Sequence, residues 1–312
     1  MKLALYTISL SGGYYAGPAV PLLDIIQRAR AWGYDGIELE GKRPHGNPMD
    51  LDAKKRKEIV EVAQQEGVAL PAVASYNDFA SPIEEHRENE LLMVREQIRL
   101  AADLGAKVVR VMAAWSGVTR RNGAITYDVA RANAENRFPG TTELEKWVYV
   151  RDCLAEAAQI ARAHGVTLAL QNHETIIHSH AEVLEFIAEV GSPALKASLD
   201  FPIMKDKSDA AVRRAVHETG DLMVWTHFGG EYDQNPADPH GPPVQRRRGR
   251  GGLLPVGYDT FVRAVKEQGY DGWWGYELCS PCLVGHRHYG LEQAQAQVIR
   301  AAAYLKHVIA SA

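Results

Sequence analysis

Residues 165–200 read GVTLALQNHETIIHSHAEVLEFIAEVGSPALKASLD. An apolar run, VTLAL, finishes on Gln171 and His173; an amphipathic stretch, SHAEVLEFIAEV, follows and stops at Gly191; a second apolar run finishes on Asp200. Short apolar runs bounded by turn residues read as strands, and the longer stretch with a period near 3.6 reads as a helix. The segment is therefore a strand–helix–strand unit whose strands end on polar side chains. A helix that turns back into a strand within two or three residues needs a left-handed position, which Gly adopts without steric cost.

The same pattern recurs along the chain. Gly33 precedes YDGIELE, Gly67 VALPAV, Gly105 AKVVRV, Gly220 DLMVWTHFG and Gly269 YDGWWGYEL; with the two strands above and the opening KLALYTISL there are eight. Amphipathic stretches such as PLLDIIQRARAWG and YDTFVRAVKEQG lie between them, and LEQAQAQVIRAAAYLKHVIA closes the series. Thr142 with Glu145 has capping-box spacing, and Ser81-Pro82 reads as an N-cap before a proline in the first turn. Strict alternation of strand and helix implies parallel strands with right-handed crossovers. Eight units and the absence of a Gly-rich phosphate turn favour a closed (β/α)8 barrel over an open doubly wound sheet.

Such a barrel uses about 250 residues plus insertions, so the 312 residues are expected to form one domain, 1–312. Long connections at about 115–141 and 228–257 fall on the face where the strands' C-terminal ends gather, where loops serve as lids, pocket walls or subunit contacts. The second carries the cationic run Arg246, Arg247, Arg248 and Arg250, read as solvated or interfacial surface. A hydrophobic content of 46% against 24% charged is that of a soluble globular chain, and a net charge of -4 supplies no field for nucleic acid. No run of 18 apolar residues calls for a membrane, and three cysteines argue for a reducing cytoplasm rather than a disulfide scaffold.

Side chains two apart on a strand share a face. If the last polar residue of each strand points to the barrel mouth, Gln171, Asp200, His227 and Glu277 converge there from four adjacent strands. Glu277 is the sharpest of them, because an unpaired carboxylate in the apolar run WWGYELC would cost several kcal/mol without a cation. Mixed oxygen and nitrogen donors suit Mn²⁺ first, with Mg²⁺, Co²⁺ or Zn²⁺ as alternatives, and not a thiolate-rich structural zinc site. Glu38 and Arg110 read as an internal ion pair, Cys279 and Cys282 as pocket wall, and His45 as a surface position. Trp115, opening a long loop, and Glu40, His286 and His288 are candidates for substrate contact.

These residues resemble those of the sugar phosphate isomerase/epimerase group with the xylose isomerase-like TIM barrel, from KLALYTISL through GIELEG to GYELCSP. In that group a Glu, an Asp, a His and a Glu after strands five to eight hold one divalent ion, which places Asp200, His227 and Glu277 on the last three. Gln171 departs from the first. The resemblance implies a metal-dependent isomerase or epimerase that abstracts a proton next to the carbonyl of a keto-sugar or polyol, through a metal-stabilised enediolate. An amide cannot take a proton at neutral pH, so the group's two-carboxylate shuttle is interrupted, and His173 is the candidate replacement base beside Glu277.

LQNH with YELCSP also resembles the branch holding C-glycoside deglycosidase catalytic subunits, which implies a lyase on a 3-keto sugar and a small all-β partner subunit. Otherwise a homo-oligomer is expected. The lost glutamate makes a non-catalytic sugar-binding barrel the third reading. A DNA-repair endonuclease of the same fold would need His ligands where this chain has Glu40, Tyr76 and Ile203.

Overall fold

The computed structural model describes residues 1–130, 132, 138–246, 257–280, 282–284 and 287–312. Eight parallel strands close a barrel: β1 (Lys2–Tyr6), β2 (Gly36–Glu40), β3 (Ala69–Ala74), β4 (Val108–Val111), β5 (Thr167–Gln171), β6 (Leu195–Asp200), β7 (Met223–Gly229) and β8 (Trp273–Glu277). Each pairs with its sequence neighbours, and β8 pairs with β1 through Lys2–Trp273 to Leu5–Tyr276. Around it run α1 (Leu22–Ala29), α2 (Ala53–Gln65), α3 (Glu84–Leu104), α4 (Glu143–Ala163), α5 (His180–Val190), α6 (Asp209–Thr219), α7 (Tyr258–Glu267) and α8 (Leu291–Ser311). The closed barrel expected from the alternation is the one observed.

The seven glycines that punctuate the sequence all have positive φ. Gly105, at φ 75°, sends its N–H back to Ala101 and Ala102 and ends α3; Gly191, at φ 61°, ends α5 on Ile187. A β-carbon at either would strain the backbone, so the turn into the next strand depends on glycine there. Thr142 and Glu145 form the expected capping box at the start of α4. Ser81 does not cap α3: its Oγ accepts the Ile83 N–H, its carbonyl accepts from Arg87, and the helix begins at Glu84.

Alternation along the strands sorts two cores. Leu3, Leu5, Ile37, Leu39, Val109, Leu168, Leu170, Leu199 and Trp274 point outward and pack under the helices. Ala4, Ala72, Val108, Ala169 and Trp225 point inward and fill the barrel's lower end, with Trp225 fully buried. Two residues further along, four of these five strands carry a polar inward side chain, Tyr6, Arg110, Gln171 and His227, and the fifth carries Ala74. The barrel is thus an apolar plug beneath a polar cup.

The long connections carry short antiparallel pairs. Thr119–Arg121 pairs with Ala124–Thr126 after β4, Tyr232–Asp233 with Val244–Gln245 after β7, and Leu283–Val284 with Arg287–His288 after β8. Arg246 closes the second on Asp233 and Glu231, so it is paired; Arg247, Arg248 and Arg250 lie outside the described residues. No described helix is long and apolar enough to cross a membrane.

Cys153 sits in the helix layer on α4, and burial pushes its thiol up to about 12. Only the thiolate is nucleophilic, so at pH 8 about one molecule in ten thousand presents it. Iodoacetamide at pH 8 is expected to leave Cys153 unmodified in the native protein and to label it in denaturant. Rapid native labelling would show that the helix layer opens.

Candidate metal centre at the barrel mouth

Asp200 ends β6 and His227 lies near the end of β7, where the two residues are register partners. An irregularity between Ala197 and Ser198 sets that alignment. His227 is in turn the register partner of Gly275, and Glu277 follows two residues later on the same face of β8. Gly275 supplies the room. A β-carbon there would lie 2.4 Å from His227 Cδ2 and 2.7 Å from Glu38 Oε2, so only glycine admits the imidazole.

The three expected ligands come together. Asp200, His227 and Glu277 each offer an atom, and these atoms lie within 4.8 Å of one another. Donors at about 2.0–2.2 Å from one ion stand about 3–3.6 Å apart at tetrahedral or octahedral angles, so an ion would draw the three side chains together by up to about an ångström. Among the described residues Asp200 Oδ1 and His227 Nδ1 are buried without a hydrogen bond, Nδ1 lying 3.5 Å from Asp200 Oδ2. Buried polar atoms short of partners are costly, and two carboxylates flanking an imidazole that can give up its proton fit a divalent cation.

Their remaining atoms are tied down. His227 Nε2 stands 2.6 Å from Glu38 Oε2, and Gln171 Nε2 donates to Asp200 Oδ2 at 2.6 Å. Arg110 donates through Nε to Glu38 at 2.8 Å, the ion pair expected from the sequence, and through Nη1 to Gln171 Oε1 at 2.6 Å. Gln171, expected as a fourth ligand, therefore stands beside Asp200 with its amide N–H toward the site and its carbonyl turned to Arg110.

Electrostatics follow from these contacts. Burial raises the Glu38 pKa, but the charges of His227 and Arg110 outweigh it and hold the carboxyl at about 2. Burial opposes charge on His227, yet Glu38 lifts the ring to about 9. Burial also raises Glu277, an effect that His227 and Arg110 only partly offset. The cup holds more carboxylates than buried cations and accepts further positive charge.

The rim is aromatic. Tyr6 stacks on His227 at 5.9 Å, its hydroxyl bonds that of Tyr76, and Lys42 Nζ sits 3.7 Å above the Tyr76 ring. Trp115 meets Tyr76, Tyr127 and His173, the last edge-on at 4.9 Å. His173 is half-buried just past β5, its Nδ1 on the Glu174 carbonyl at 2.7 Å. Glu40 is buried and engaged by His45 at 3.3 Å, Tyr76 at 3.5 Å and Lys42 at 3.8 Å. His45 is correspondingly buried, with Nε2 on the Val20 carbonyl; the turn after β2 folds it inward and not onto the surface as expected. Cys279 packs with Tyr6 and Tyr14, and burial and the neighbouring Glu277 raise its thiol well above the usual range, consistent with a wall. His288 turns its Nδ1 to the Tyr14 carbonyl at 3.3 Å, and His286 lies outside the described residues.

Sequence reasoning missed Glu38 as the partner of His227, together with Tyr76 and Lys42. The signal for Glu38 was present: its ion-pair partner Arg110 occupies the next-to-last position of its own strand, facing inward.

A family model described as xylose isomerase-like TIM barrel matches residues 26–306. Fructoselysine 3-epimerase of Shigella flexneri is 24% identical over 279 residues, 86% of this chain and 90% of that protein. 3-Dehydro-D-guloside 4-epimerase of Escherichia coli (strain K12) is 22% identical over 220 residues, 69% of this chain and 76% of that protein. Among solved structures, D-psicose 3-epimerase in the presence of D-fructose superimposes with a TM-score of 0.72 at 14% identity, covering 99% of both chains.

Proposed function

Because this chain belongs to the xylose isomerase-like TIM-barrel family, we propose that it is a sugar epimerase or isomerase. In this reading Asp200, His227 and Glu277 hold one divalent ion, Mn²⁺ first, and Glu277 moves a proton at the carbon next to a carbonyl of a keto-sugar. The observation that carries it is the buried cluster of Asp200, His227 and Glu277, whose ligand atoms lie within 4.8 Å of one another. The relatives support the substrate class, since both are named as epimerases of sugar derivatives.

A divalent ion bound there supplies Lewis acidity toward neighbouring oxygens of the sugar. The chain's own residues do the rest. Glu277, raised by burial, is suited to take a proton from carbon and give it back. His227 is fixed by Glu38, Asp200 by Gln171, and the aromatic rim of Trp115, Tyr76 and Tyr6 offers faces for a sugar ring. His173 beside Trp115 on the rim is the candidate for a second proton-transfer group.

One observation favours a second reading. Gln171 stands where a second carboxylate would be needed for a two-base inversion, and an amide cannot serve. A one-base reaction, 1,2-isomerisation or elimination by a lyase on a 3-keto sugar, is the alternative. Both are tested together. Purified protein stripped with EDTA and reloaded with Mn²⁺ is incubated in D₂O with D-fructose, D-psicose and 3-keto-glucosides, and products are read by NMR. Deuterium at the carbon beside the carbonyl, lost with EDTA and restored by Mn²⁺, is expected; an eliminated product marks the lyase. Turnover indifferent to EDTA removes the metal centre.

A further inference from the structure

The geometry points to Arg110 as a positioning residue that orients two metal ligands at once, with Gln171 as one of its arms and not a fourth ligand; this rests on the metal centre proposed above. Each ligand has one atom firmly tied and one without a hydrogen bond among the described residues. Asp200 Oδ2 is held by Gln171 while Oδ1 has no hydrogen bond, and His227 Nε2 is held by Glu38 while Nδ1 has only a 3.5 Å approach to Asp200 Oδ2. Both ties lead to the same guanidinium, which grips Glu38 through Nε and Gln171 through Nη1. Five side chains on β2, β4, β5, β6 and β7 thus form one buried relay with Arg110 as its common anchor.

The direction of each bond is forced. Arginine only donates and an ionised aspartate only accepts, so an amide between them must turn its oxygen to Arg110 and its nitrogen to Asp200. Reversing Gln171 would set its N–H groups against the guanidinium and its oxygen against the carboxylate. The Gln171 oxygen is therefore committed to Arg110. On the other arm Trp225 Nε1 also lies 3.2 Å from His227 Nε2, but that nitrogen cannot accept from Trp225 while donating to Glu38. The charged acceptor at 2.6 Å prevails, which keeps a hydrogen on Nε2 and makes Nδ1, 3.5 Å from Asp200 Oδ2, the nitrogen at which a metal would replace the proton.

The anchor is itself held in plane. Arg110 lies over the Tyr6 ring at 4.9 Å, and Tyr6 stacks on His227. A lysine would keep the charge but, as a single point donor, could not span both arms.

The test uses the full chain, stripped with EDTA and titrated with Mn²⁺, with free Mn²⁺ read by electron paramagnetic resonance. Circular dichroism and thermal melts confirm that each variant is folded. Asp200→Ala is expected to bind no Mn²⁺ at concentrations that saturate the wild type. Arg110→Lys, Glu38→Gln and Gln171→Met should each weaken binding about 10- to 100-fold. The Arg110→Lys/Gln171→Met double variant should lose no more than Arg110→Lys alone, because the arm has already lost its anchor. Additive losses, as a direct Gln171 ligand requires, or unchanged affinity in Arg110→Lys overturn the proposal. If Arg110→Lys does not fold, wild-type affinity in either Glu38→Gln or Gln171→Met overturns it. A wild-type chain that takes up no Mn²⁺ instead rejects the metal centre itself.

Discussion

Glu277→Gln is expected to give a folded barrel that still takes up Mn²⁺, more weakly, and turns over its sugar about 10²- to 10⁴-fold more slowly. The side chain ends β8, whose other residues are aromatic or glycine, and in the proposed function it both holds the ion and moves the proton. The amide keeps shape and a coordinating oxygen but has no basic site, so the loss should fall on kcat with KM little changed. Steady-state kinetics at saturating Mn²⁺, with deuterium washout into the recovered substrate, checks it. A variant that keeps more than a tenth of wild-type turnover assigns the proton transfer to another group, His173 being the first to examine.

Gly275→Ala, the addition of one methyl group, is expected to damage the site as severely. Gly275 does not have the left-handed backbone that would make alanine strained for its own sake; the obstacle is its neighbours. The new carbon would lie 2.4 Å from Cδ2 and 2.6 Å from Nε2 of His227, and 2.7 Å from Glu38 Oε2. These are not flexible tips that can swing aside, since both side chains are buried and bonded to each other. Overpacking of this kind costs about 1–3 kcal/mol in stability. Displacing His227 from Glu38 should lower Mn²⁺ affinity by at least about tenfold. Gly257→Ala is the control, because its φ is -73° and nothing among the described residues lies within 4 Å of the added carbon. Melting curves with and without Mn²⁺ should separate the two variants; equal Mn²⁺ stabilisation of Gly275→Ala and wild type would refute the steric argument.

The barrel and most of its cup were legible because they rest on local rules. Alternation along a strand decides which side chains face inward, and a glycine after each helix decides where the chain reverses, so Asp200, His227 and Glu277 could be placed from spacing alone. Which inward side chain meets which is another matter. Glu38 and His227 are 189 residues apart, on strands that are not neighbours, and their contact depends on the register and tilt of the whole closed sheet. The orientation of Gln171 was hidden for the same reason, since it follows from Arg110 on one side and Asp200 on the other. Ser81 and His45 show the local limit. Each has the composition of a familiar position, a helix cap or a surface loop, and each is redirected by a bond the sequence does not announce, to Ile83 and to Glu40.

The apolar plug of Ala4, Ala72, Val108, Ala169 and Trp225 closes the end of the barrel opposite the cup. A guest can neither thread through the cylinder nor depart ahead of its successor by a back door. Entry and exit compete for one opening, and on a longer carbohydrate only the terminal unit could descend to the acidic floor of that vestibule.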